Sequence, residues 1–242
     1  MKNEITELRN QVRTLIHIGQ HKTGTTSIQH YLKDNRLNLI EDGLYVPDSI
    51  CGYDNPSHFI LNVYSLNKNR YSSKKELLLE TKTQEYFFNL KKYLEKDISR
   101  HYQEAISKGC KDIVWSNEGL YLLNSVGEYN RLLELFLGYS SEVVCVCCFR
   151  EVEAYRKSYT QQLQRGGKKL SDDKDYYRYL GADSWLFDYE RKKKILRDVF
   201  KKVIWLSYNS KDMIKTFMSA AGYSVSNTES TRLNVTSYKN DF

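Results

Sequence analysis

An apolar run, Leu15 to Ile18, leads straight into "GQHKTGTT", Gly19 to Thr26, and helix-period sequence follows from about Ser27. No other stretch constrains the chain as much. Strand, tight turn and helix start is the order in which backbone N–H groups and the helix dipole converge on an anion. Phosphate is the anion first expected there.

The rest of the chain repeats that alternation. Apolar runs at Thr14–Ile18, Asp112–Trp115, Val143–Phe149 and Val203–Ser207 are short and nearly continuous, as strands covered on both faces are. Helix-period segments separate them: Ser27–Asn35, a long one within Lys74–Ser107, Tyr129–Leu137, Val152–Gln164, Tyr189–Val199 and Asp212–Ala221. The pattern predicts an α/β fold with a central, mostly parallel sheet flanked by helices in three layers. Ligands in such sheets lie beyond the carboxyl ends of the strands. The segments to read for function are therefore "GQHKTGTT", "SNEGL" and "REVEAYRKSY", which follow the first three strands.

With 242 residues, 40% of them hydrophobic, the chain supports one sizeable core, so a single domain over 1–242 is expected. Residues of about 41–69, punctuated by Gly43, Pro47, Gly52 and Pro56, read as a loop excursion that supplies a substrate wall. The polar stretch from about 224 to 242 reads as a tail, or a loop that closes over a ligand. No run reaches the ~18 apolar residues of a membrane span, and the start lacks the apolar core of a signal peptide, so a cytoplasmic location is expected.

Five cysteines include Cys145, Cys147 and Cys148 in one apolar run, where a strand points Cys145 and Cys147 to the same face. They read as reduced core residues, because no second cysteine pair or histidine cluster completes a metal site. A net charge of +7 favours an anionic partner without choosing one. The basic runs "RGGKK" and "RKKK" could track nucleic acid, but Arg191 to Lys194 reads better as the solvated face of a helix, and no nucleic-acid partner is expected.

A nucleoside-triphosphate loop needs Lys directly after its last Gly and a hydroxyl beside it for Mg²⁺. Here Lys22 precedes Gly24 by two positions and Thr25 stands in the place of that Lys. The later strands end "VWSNE" and "VCCFR", without an Asp to hold Mg²⁺. A donor that carries phosphate without needing metal fits these residues better than a metal-dependent kinase does.

"HIGQHKTGTTSIQ" resembles the 5′-phosphosulfate loop of the sulfotransferase family, written K-[ST]-G-T-T before a helix, and especially its bacterial and carbohydrate-acting members. "CCFREVEAYRKSY" is similar to the family's second signature, a strand-ending Arg with a Ser eight residues on, here Arg150 and Ser158. "IVWSNEGL" looks like its Ser-Ser-Glu segment, and "RLNVT" like an Arg-x-Asn-x-Ser/Thr stretch near the end of bacterial members. Two departures stand out: His21 replaces a common Pro, and Arg150-Glu151 replaces Arg-Asp-Pro. From about 60 to 110 nothing resembles the family.

The resemblance implies a P-loop-like fold and the donor 3′-phosphoadenosine 5′-phosphosulfate, with 3′-phosphoadenosine 5′-phosphate as product and no metal. It places Lys22, Thr23, Gly24, Thr25, Thr26 and Ser27 on the 5′-phosphate, Arg150 and Ser158 on the 3′-phosphate, and Arg232 and Asn234 near the donor. The acceptor it implies is a hydroxyl, of a saccharide by preference. Charge builds on the leaving phosphate during transfer, and Lys22 suits that site. Arg150 can fork onto a phosphate as a lysine cannot. A base must take the acceptor's proton. Glu118, after the second strand, and His58, in the excursion, are the candidates. A nucleotide-dependent kinase and a non-catalytic binder of an anionic polysaccharide are the alternatives.

Overall fold

The computed structural model describes residues 12–54, 56–208 and 212–225. Its centre is a five-stranded sheet with the order β2-β3-β1-β4-β5, in which every neighbouring pair is parallel. The strands are β1 (Val12–Gly19), β2 (Leu44–Tyr45), β3 (Asp112–Ser116), β4 (Ser140–Phe149) and β5 (Lys202–Ser207). The four expected strands are all present. The two-residue β2 is additional and lies in the excursion, too short to leave a periodic signal.

The helices are α1 (Thr25–Asp34), α2 (Arg36–Glu41), α3 (Ile60–Ser65), α4 (Ser73–Thr81), α5 (Gln84–Ser107), α6 (Val126–Leu137), α7 (Val152–Arg165), α8 (Tyr189–Val199) and α9 (Met213–Ala221). The long segment expected within Lys74–Ser107 is two helices. Lys82 leaves the helix in an extended conformation, and the Thr83 hydroxyl caps α5 by accepting from the Tyr86 N–H at 3.3 Å.

Each strand's side chains alternate between two cores. Ile16, Ile18, Trp115, Cys145 and Cys147 belong to the larger one, with Leu94 and Ile98 of α5, Leu132 of α6, Tyr155 of α7 and Leu196 of α8. Leu15, Val114, Val144, Val146 and Cys148 belong to the other, with Ile28 of α1, Leu39 of α2 and Phe217 of α9. The cysteines thus behave as the strand pattern requires: all five are free, the three in β4 are buried, and burial pushes those thiols up.

The basic run in α8 differs from its expected role. Arg191 and Lys194 are exposed, but Lys192 is 1% exposed. Its ammonium donates to the carbonyls of Tyr121 (3.0 Å) and Leu123, among the rings of Tyr121, Tyr129 and Trp185, and burial lowers its pKa to about 7. Lys192 shares its helix face with Ile195 and Leu196, so the helix has one solvated side rather than a solvated run.

Candidate functional site

The loop between β1 and α1 sits where the chain leaves the middle of the sheet, with β3 on one side and β4 on the other. Lys22 (φ 68°) and Gly24 (φ 78°) both take the left-handed conformation. Alternation of that kind turns successive N–H groups to one side and makes an anion-binding concavity. Gly24 is required there twice over: its φ disfavours a side chain, and a Cβ would meet Met213 of α9 at 3.1 Å. Gly24 also starts α1 without a side-chain cap, and the first turn of the helix holds no acidic residue. The positive end of α1 is therefore left for something else to neutralise.

Thr23 is buried and spent locally, its hydroxyl donating to the Gln20 carbonyl at 2.6 Å. Thr25 is buried as well, whereas Thr26 is exposed. Ser27 lies in the same first turn of α1.

Arg150 follows β4 and reaches back to this loop. Its guanidinium donates to the Lys22 carbonyl at 3.1 Å and lies 4.8 Å over the ring of Tyr208. Its backbone N–H donates to Gln20 Oε1 at 2.9 Å. Gln20 Nε2 in turn donates to the Tyr189 hydroxyl (2.9 Å), which donates to the Arg150 carbonyl (2.7 Å). The fully buried Gln20 thus locks the β1 loop, the end of β4 and the start of α8 together. Nothing in the sequence marks Gln20 or Tyr189. The loop motif does not specify the Gln, and the tyrosine is one of twenty.

Partial burial, then the charges of Arg165 and Arg150, push the Lys22 ammonium below its ordinary value. Three cations from the β1 loop, the end of β4 and the end of α7 therefore crowd one spot, which an anion would relieve. In sequence Arg165 is only part of a basic run; α7 brings its charge to bear on Lys22. Ser158 stands part-exposed on α7, two turns beyond Arg150.

On the other side of β1, Glu118 leaves the end of β3. Strands β1 and β3 run in register, with His17 opposite Ser116, and the Asn117 N–H donates to the His17 carbonyl at 3.1 Å. Glu118 Oε2 accepts from Gln29 Nε2 of α1 at 2.8 Å and from the Ser57 hydroxyl at 3.4 Å. Gln29 occupies a buried position on α1, a polar side chain inside an apolar face. That mismatch is the signal by which sequence could have found it.

His58 does not serve as expected. It is 2% exposed; its Nδ1 accepts from the Ser116 N–H at 3.0 Å, and its Nε2 faces the Pro47 carbonyl at 3.4 Å. Burial lowers its pKa to about 4. Both ring nitrogens are used to pin the excursion to β3, and the ring packs edge-on against Trp115, so neither nitrogen is free to take a substrate proton. His17 is core, as its mid-strand place implies: fully buried, bonded through Nδ1 to the Ser116 hydroxyl and lowered to about 4 by burial. Arg232 and Asn234 lie outside the described residues. Among the described residues no group of three His, Cys, Asp or Glu is placed to hold a metal ion, and no helix is long and apolar enough to cross a membrane.

No family model matches the chain, and no curated protein matches it in sequence. Among solved structures it is similar to a sulfotransferase from Alicyclobacillus acidocaldarius, with a TM-score of 0.51 at 15% identity, over 89% of this chain and 82% of that one. The sulfotransferase domain from the curacin biosynthetic pathway also matches, with a TM-score of 0.45 at 10% identity, over 90% of this chain and 75% of that one. The first likeness establishes the fold, a P-loop-like α/β sheet of the kind that sulfotransferase has.

Proposed function

We propose that this chain, which has the fold of a sulfotransferase, moves a sulfuryl group from 3′-phosphoadenosine 5′-phosphosulfate to a hydroxyl, with a saccharide as the acceptor class. One observation carries the reading: Arg150 is tied to the carbonyl of Lys22, so the two motifs, 128 residues apart, build one cationic site around an uncapped helix start. The nucleotide supplies a sulfuryl group on a phosphate leaving group, and the chain's residues fit its charge.

Lys22 neutralises the leaving 5′-phosphate. The N–H groups of Gly24, Thr25 and Thr26, with the exposed Thr26 hydroxyl, hold its oxygens, and Ser27 completes the turn. Thr23 shapes the loop from within, since its hydroxyl is already engaged. Arg150 and Ser158 take the 3′-phosphate, and Arg165 adds its charge to the same field. Transfer needs an in-line arrangement and stabilised charge more than it needs covalent help from the protein. Glu118 puts a negative charge on the acceptor side. Arg232 and Asn234 remain assigned to the donor by resemblance.

Calorimetric titration with 3′-phosphoadenosine 5′-phosphate in EDTA, against ADP and ATP, tests the reading. Tight binding that requires the 3′-phosphate and no metal is expected. Binding of ATP alone, and only with Mg²⁺, would replace the proposal with a kinase.

A further inference from the structure

Of the two groups expected to take the acceptor's proton, His58 is enclosed, while Glu118 is held by two hydrogen bonds on one oxygen, a place that also suits a charge partner. We propose that His21, the residue immediately before Lys22, is the proton acceptor, and that Glu118 is its charge partner. This rests on the sulfuryl-transfer reading above and assigns within it a catalytic residue where the family resemblance offers only a Pro.

The geometry begins with the sheet. Because β1 and β3 are in register, the segments leaving their carboxyl ends, Gly19 to His21 and Asn117 to Glu118, emerge side by side under the start of α1. Gln29 of α1 then holds Glu118 on that side. The His21 ring packs on Tyr159 of α7, with centroids 4.9 Å apart, and Tyr159 stacks on Tyr155 at 5.5 Å, so the imidazole has a fixed platform.

Its Nδ1 is buried and has no hydrogen-bond partner among the described residues, while the residue as a whole keeps part of its surface. Nδ1 is the ring nitrogen shut in without a partner, which leaves Nε2 as the nitrogen to meet an acceptor. A buried ring nitrogen without a partner is costly; His58 and His101 have both nitrogens engaged and the core residue His17 has one, whereas neither nitrogen of His21 has a partner among the described residues. The ring is held by its packing on Tyr159, with Nδ1 shut in, and Lys22 is the next residue of the loop.

The charged and titratable groups facing this imidazole are Glu118 from the turn after β3, Lys22 from its own loop and Tyr159 from α7. Burial and Lys22 favour the neutral ring, which is the form a base must have. Glu118 favours the imidazolium that forms when the proton arrives. In the step, the acceptor O–H proton passes to His21 Nε2 as the oxygen bonds to sulfur. The bond from sulfur to the 5′-phosphate oxygen breaks, and its electron pair stays on that phosphate, beside Lys22.

The test compares wild type, His21→Asn and Glu118→Gln. Binding of 3′-phosphoadenosine 5′-phosphate is followed by calorimetry, and single-turnover release of labelled sulfate from 3′-phosphoadenosine 5′-phosphosulfate to water is followed from pH 5 to 9. His21→Asn should bind the nucleotide within about twofold of wild type and release sulfate on the order of 100-fold more slowly, the usual scale for a lost general base. Glu118→Gln should move the acid limb of the profile to lower pH, because the imidazolium loses its anion. A merely structural histidine would leave that limb where it was. If His21→Asn keeps more than a third of the wild-type rate, or Glu118→Gln leaves the limb in place, the assignment fails while the function stands. So does it if the wild type binds the nucleotide and leaves its sulfuryl group intact at every pH. If the wild type does not bind the nucleotide, the proposed function falls, and this inference with it.

Discussion

Helices α1 and α7 begin at the same edge of the sheet, after the neighbouring strands β1 and β4, yet their first turns are built for opposite purposes. The α1 start is Gly24-Thr25-Thr26, uncapped, with no acid in the first turn and with Lys22, Arg150 and Arg165 close by. The α7 start is Glu151-Val152-Glu153. There the Glu151 carboxylate caps its own helix, accepting from the N–H groups of Glu153 (2.8 Å) and Ala154 (2.7 Å). One helix dipole is left open for a ligand and the other is satisfied by the chain itself. Position at the carboxyl edge therefore does not by itself leave a helix start open. The residues of the first turn decide it.

Lys22→Ala should give the largest effect on this contrast, because it removes the charge preorganised for the leaving group. Turnover should fall by about 10²–10³-fold, the scale seen when such a stabilising group is lost. Near-normal turnover would mean that the open helix start alone does the electrostatic work. Arg150→Ala comes next, weakening affinity for 3′-phosphoadenosine 5′-phosphate by about 2 kcal/mol, a typical loss for a charge-assisted contact. Its carbonyl and N–H contacts to Tyr189 and Gln20 are backbone contacts and should persist in the variant. Unchanged affinity, measured by calorimetry, would place the 3′-phosphate elsewhere.

Gly24→Ala should act more gently. A left-handed residue with a Cβ costs about 1–2 kcal/mol, and here the Cβ also presses on Met213. Lower thermal stability together with roughly tenfold weaker nucleotide binding is expected. Loss of stability without loss of binding would show that the left-handed turn serves folding rather than the anion.

The sequence alone carried the sheet and the places of the two loop motifs at its carboxyl edge, because those depend on local order: apolar run, turn, helix. The strands also carried the two faces of the cysteine run, which follow from a period of two. What stayed hidden depends on contacts between segments distant in sequence. His58 stands in an irregular loop, and nothing nearby shows that Ser116 will use its Nδ1. Lys75 looks like a surface lysine, yet it is 6% exposed and donates to the carbonyls of Asn67 (2.7 Å), Lys68 (3.2 Å) and Arg70 (2.7 Å), tying down the end of the excursion. Gln20 and His21 are legible as members of a loop, but their contacts come from α8 and α7, which only the fold brings near.

The smallest effect, and the sharpest control, is expected from Glu151→Ala. The carboxylate is fully exposed, so its removal should lower the melting temperature slightly and leave nucleotide affinity nearly unchanged. The sign with pH is fixed by the cap. Accepting from two N–H groups holds the Glu151 carboxyl below its ordinary pKa. Its stabilisation is therefore complete above the ordinary carboxylate pKa and is lost as pH falls through the lowered one. Wild type and Glu151→Ala should differ in melting temperature at neutral pH and converge in acid. If the variant instead gained a nucleotide-phosphate contact and bound more tightly, the freed α7 start would be a second anion site. The contrast between the two helices would then rest on that one side chain.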